Sequence, residues 1–175
     1  CHRRISVMEH YWRQISNIHL LTKHYLLIAE EIDERAFIQP LKEHRDAYDH
    51  IIRIYGIDFT EKKVANLKQY KESNMKKALG HEYRAFFDTA DWLSLICRQK
   101  IRMLIAGKEQ EEIIKVLPEY PEIKEKLINI PLRIAELREK KDIGDTNGML
   151  SEVREYKNIL DDLLESYYKI YKVFA

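Results

Sequence analysis

What most constrains this chain is the rarity of residues that make tight turns. Its 175 residues include only five Gly and four Pro, against average usages of roughly 7% and 5%. A sandwich or barrel needs many such turns, so an all-β fold is excluded. Between these breakers, apolar residues recur every three or four positions, the period of a helix with one face on a core. Ile5, Met8, Tyr11, Trp12, Ile15, Ile18, Leu21, Tyr25 and Ile28 follow that period over about residues 4–34. A second helix is predicted from Pro40, suited to a first turn, to Gly56, a natural stop. Thr60 can cap a third, with Glu61 just inside, and the pattern then continues to Ala106 before Gly107. At ~1.5 Å per residue that run would span ~70 Å, whereas a compact chain of this size has a radius of gyration of about 16 Å. Either the run breaks near Gly80 or the bundle is elongated and its long helix needs a partner; Ser73 and Asn74 weaken the run upstream and favour a kink or break. Shorter helices follow over about residues 109–116 and 122–141, the latter bent at Pro131, then a loop at 144–148. A last helix over about residues 150–174 sets Val153, Tyr156, Leu160, Leu163, Tyr167, Ile170 and Phe174 in one stripe. The prediction is an all-α, elongated bundle of five to seven helices, one domain over residues 1–175. Because it opens on Cys1 rather than Met, the chain reads as the trimmed part of a longer one.

Hydrophobic residues at 45% and charged residues at 34% describe a globular protein rather than a disordered one. No apolar run approaches the roughly 18 residues of a membrane span, and Cys1 and Cys97 make no disulfide framework. A cytoplasmic protein without membrane contact is expected. Net charge is only +1, but residues 61–108 hold 11 basic against 5 acidic side chains. Lys62, Lys63, Lys68, Lys71, Lys76 and Lys77 carry the excess and are the candidate contacts to a nucleic-acid backbone, since lysines gain affinity by releasing phosphate counterions. The same lysines would equally suit a solvated helix face opposed by acidic segments.

Several chemistries are absent from the pattern. There is no Gly-rich phosphate loop, no Cys/His zinc spacing and no His-Glu-x-x-His. His10, His19 and His24 are not spaced as ligands along one helix, so neither metal nor cofactor is expected. Cys97, inside Trp92-Leu93-Ser94-Leu95-Ile96-Cys97, reads as a buried small hydrophobe.

The segment Glu43-His44-Arg45-Asp46-Ala47-Tyr48-Asp49-His50 is the most informative. Leu41, His44, Ala47, Tyr48, Ile51, Ile52, Ile54 and Tyr55 share one broad helical face, which turns His44 toward the core as a structural histidine. Arg45 and His50 lie about 140° apart at the edges of the polar face. An imidazole can move the proton of a ribose 2′-hydroxyl or of a leaving oxygen near neutral pH, and a guanidinium can stabilise the charged phosphorane. The same segment offers Lys42–Asp46, Arg45–Asp49 and Asp49–Arg53 as i,i+4 pairs that would simply decorate a solvated helix.

Arg45-Asp46-Ala47-Tyr48-Asp49-His50 resembles the motif of the HEPN superfamily, in which Arg is followed by a polar residue and then by His. That resemblance covers six residues. It implies an all-α fold and metal-independent ribonuclease activity in toxin–antitoxin or antiviral defence, with the Arg and His of two copies meeting across a homodimer. Arg45 and His50 would then be catalytic, and Asp46 would orient them. A protein antitoxin or defence-system partner would follow from the same resemblance.

A second polar group, His81, Arg84, Asp88 and Asp91, shares one helical face and reads either as an extension of that cleft or as an interhelical salt-bridge network. Three functions therefore stand: a metal-independent endoribonuclease, a non-catalytic helical scaffold that oligomerises and binds protein or nucleic acid, and a metal-dependent helical-bundle enzyme.

Overall fold

A computed structural model describes residues 6–61, 63–140 and 146–175, with side chains from 150 in the last segment. Among them the chain is all-α. It comprises α1 (Val7–Asp33), α2 (Ile38–Gly56), a 3₁₀ turn (Ile57–Phe59), α3 (Leu67–Ile105), α4 (Gln110–Val116), α5 (Tyr120–Lys140) and α6 (Thr146–Phe174).

The ends of these helices follow from local chemistry. Ser6 Oγ accepts the Glu9 N–H at 3.2 Å while Glu9 Oε2 accepts the Ser6 N–H at 2.8 Å, a capping box that opens α1. Thr60 does not cap α3 as expected; its hydroxyl and its N–H both donate to Ile57 O and close the 3₁₀ turn. The cap of α3 is Asn66, whose Oδ1 accepts the Gln69 N–H at 3.0 Å. From there α3 runs unbroken for 39 residues through Ser73, Asn74 and Gly80, so the expected break is absent. Gly107 ends this region in the left-handed conformation, φ +74°. Glu109 and Glu112 form the capping box of α4. Of the predicted 144–148 loop, Thr146–Gly148 are instead the first turn of α6, and Gly144 and Asp145 lie outside the described residues.

The contacts divide the chain into two compact units: residues 1–30 with 35–89, and residues 31–34 with 90–175. In the first unit α1 and α2 run antiparallel, since Trp12 meets Tyr55 and His19 meets His44. The first half of α3 is antiparallel to α2 in turn, pairing Asn74 with His50 and Arg84 with Glu43. Ile15, Ile18 and Tyr25 on α1, Ala47 and Ile54 on α2, and Met75, Leu79, Tyr83 and Phe86 on α3 are buried. Each large side chain so buried contributes about 1.5–3 kcal/mol. In the second unit, buried residues include Leu93, Ile96 and Cys97 of α3, Ile130 and Leu137 of α5, and Tyr156, Leu160 and Leu163 of α6. There Asp91 accepts hydrogen bonds from Arg138 Nε at 3.2 Å and from the Tyr156 hydroxyl at 2.5 Å. No described helix is long and apolar enough to cross a membrane.

Candidate functional site

The first unit is unusual in the polarity of what its helices present to one another. Glu43 and His44 are neighbours on α2, and His81 and Glu82 are neighbours on α3. They pair crosswise: Glu43 Oε2 lies 2.7 Å from His81 Nδ1, and His44 Nδ1 lies 3.1 Å from the Glu82 carboxylate. Arg84 Nε also donates to Glu43 Oε2 at 3.0 Å. Burial works to raise the Glu43 pKa, but the hydrogen bonds from His81 and Arg84 outweigh it and hold the carboxyl below its ordinary value.

His50 faces α3 as well. Its Nδ1 lies 2.9 Å from Asn74 Oδ1, and its ring stacks on His81 with centroids 5.5 Å apart. Asn74 is buried, and its Nδ2 donates to the Tyr70 carbonyl one turn back at 2.9 Å. That bond fixes which end of the amide is which, so Oδ1 faces the imidazole and accepts a hydrogen bond from it. In the neutral ring Nδ1 therefore carries the hydrogen, and Nε2 is left with the basic lone pair.

Arg45 is placed differently. Its side chain is 71% exposed, and Nε and one terminal nitrogen bind Asp46 Oδ1 at 2.9 and 2.8 Å. The Arg45 bonds lower the Asp46 pKa from its ordinary value, and the charges of His81 and His50 act in the same direction. Asp46 thus links the guanidinium to the two imidazoles electrostatically. Of the i,i+4 pairs anticipated on α2, Arg53–Asp49 is formed, at 2.5 Å, while Arg45 turns to its immediate neighbour.

The broad α2 face read as one surface is divided in two. His44, Ala47 and Ile54 face inward, whereas Ile38, Leu41, Tyr48, Ile52 and Tyr55 are exposed. With Arg45, these exposed residues occupy positions 38, 41, 45, 48, 52 and 55, a strict alternation of three and four. Arg45 lies in the middle of a narrow apolar stripe.

The other candidates separate. His81 and Arg84 join the Glu43 network, Asp88 lies half-buried one turn further along α3, and Asp91 belongs to the second unit. Lys62 lies outside the described residues. Lys63, Lys68, Lys76 and Lys77 are exposed and Lys71 is half-buried. Those on α3 do not form a single strip, because at about 100° per residue Lys68, Lys71, Lys76 and Lys77 point in four directions. Lys77 alone of these falls one turn before His81. Lys68 sits 3.9 Å from Glu72.

Sequence reasoning missed Asn74 and Glu82. The available signal was their place on the apolar stripe of α3, where Asn74, Ala78, Glu82 and Phe86 recur at helical spacing and are all buried. Compared with protein-family models, with curated proteins and with solved structures, the chain matches none.

Proposed function

We propose that this protein is a metal-independent endoribonuclease of HEPN type that acts as a homodimer. The observation that carries the reading is the 2.9 Å contact of His50 Nδ1 with Asn74 Oδ1: an acceptor there leaves Nε2 as the base, at a partly exposed position beside a second imidazole. In this reading His50 Nε2 takes the proton of a ribose 2′-hydroxyl, whose oxygen attacks the adjacent phosphorus. His81, held at Nδ1 by Glu43, gives a proton from its other nitrogen to the departing 5′-oxygen. The products are a 2′,3′-cyclic phosphate and a 5′-hydroxyl. Arg45 supplies the charge that stabilises the phosphorane, and Asp46 aims it. The exposed three-four stripe of α2 is the surface on which a second copy would pack, burying its apolar residues and bringing each copy's Arg45 to the other copy's His50, two composite sites per dimer. A role in prokaryotic defence or a toxin–antitoxin pair, in the cytoplasm, follows from the same resemblance.

Incubation with total RNA and tRNA in chelator tests this directly. The parent cleaves, while His50→Ala and Arg45→Ala each lose about 10²–10⁴-fold in rate with unchanged helical content. Mixing the two inactive variants restores roughly a quarter of the activity, since half the dimers are mixed and each holds one intact composite site. Parent-like cleavage by His50→Ala removes the proposal. The alternative is a non-catalytic helical scaffold, favoured by the Arg45–Asp46 and Arg53–Asp49 pairs, which could be ordinary surface decoration. A stable dimer without turnover would select it.

A further inference from the structure

We propose that His19, His44 and Glu82 form a binding site for a divalent transition-metal ion, Zn²⁺ foremost, that ties together the three helices of the first unit. This goes beyond the ribonuclease reading and does not depend on it. The three residues come from α1, α2 and α3, and one ligand atom of each lies within 4.8 Å of the others. Two imidazoles and one carboxylate are a donor set suited to a borderline ion such as Zn²⁺, with a fourth position left for water.

The distances separate this cluster from its neighbour. Glu43 and His81 close to 2.7 Å, the length of a charge-assisted hydrogen bond. One residue further along both helices, Glu82 stands 3.1 Å from His44 Nδ1 and 3.3 Å from His19 Nδ1. Those lengths are long for charge-assisted bonds and close to the ~3.3 Å between adjacent ligands of a tetrahedral ion with bonds of ~2.0–2.1 Å. Burial points the same way. The Glu82 side chain is only 4% exposed, and an ionised carboxylate in that position needs a compensating positive charge. Neutral imidazoles supply none, whereas a divalent cation does. His19 is 47% exposed, so it provides the way in, and its ring already packs edge-on to His44 with centroids 4.8 Å apart.

The test uses the full, untagged chain, freed of metal by dialysis against chelator and returned to chelator-free buffer. Calorimetric titration with ZnSO₄ should show one ion bound per chain. The melting temperature should rise by about 5–10 °C at a hundredfold excess over Kd. Co²⁺ in place of Zn²⁺ should give the visible absorption of a tetrahedral site. His19→Ala, at a half-exposed position, and Glu82→Gln, which keeps the side-chain shape, should each abolish stoichiometric binding. His24→Ala should bind as the parent does. Absence of stoichiometric binding by the parent, or binding that survives both His19→Ala and Glu82→Gln, overturns the proposal. Both readouts are independent of RNA cleavage, so this inference and the ribonuclease reading fail separately.

Discussion

Asn74 holds His50 in one tautomer: its Oδ1 lies 2.9 Å from Nδ1 while its own Nδ2 is anchored on the Tyr70 carbonyl. The amide cannot turn over without losing both bonds. A neutral acceptor at Nδ1 orients the ring without placing a charge beside it.

Asn74→Asp should expose that role. A carboxylate at Nδ1 stabilises the imidazolium and raises the His50 pKa. A base must be deprotonated to act, so the acidic limb of the RNA-cleavage pH profile should move up by about one unit or more. Rates measured from pH 5 to 8 check this, and an unmoved limb would show that His50 is not the base.

Gly80 and Gly107 should respond oppositely to alanine. A Cβ built on Gly80, mid-helix in α3, meets nothing within 4 Å, so Gly80→Ala should stabilise by about 0.5–1 kcal/mol. Gly107 has equal room but sits at φ +74°, where a side chain is strained, so Gly107→Ala should cost about 1–2 kcal/mol. Urea melts of both variants decide the matter.

Tyr83→Phe should be neutral or stabilising at pH 7. The Tyr83 hydroxyl is buried without a hydrogen-bond partner among the described residues, and removing it removes a desolvation penalty of about 1–3 kcal/mol. Burial also pushes its pKa from 10.0 up to about 12. Stability is then intact below pH 10 and lost as pH rises toward 12, because the unfolded chain ionises first. The variant should show a shallower loss of stability over that interval in chemical denaturation.

In the second unit, Asp91→Ala should destabilise by about 1–3 kcal/mol, since it removes an acceptor of the buried Tyr156 hydroxyl. Asp91→Asn keeps an acceptor and should cost less. The Arg138 partner is largely exposed, so its share is small and salt-screened. Thermal melts of the two variants side by side measure the difference.

The helices were legible because their apolar spacing repeats over many turns, and the last stripe, Val153 to Ile170, is buried as read. Gly80 misled because a lone helical glycine costs only about 1 kcal/mol, less than the burial of Met75, Leu79 and Tyr83 around it contributes. Asn74 misled for a related reason: it bonds the carbonyl one turn back and remains helical instead of breaking the run. Arg45, Asp46 and His50 could be picked out because they lie within two turns of one helix. His19, His44 and Glu82 come from three helices, and no spacing along the chain encodes their meeting.

The crossed pairing of Glu43 with His81 and His44 with Glu82 also governs how the chain selects one arrangement among many. Apolar helices tolerate sliding, because one aliphatic contact substitutes for another. Here a rotation or slip of α2 against α3 would set carboxylate against carboxylate and imidazole against imidazole. The two adjacent pairs therefore act as a key for helix register, rejecting misaligned packings that the hydrophobic core alone would accept.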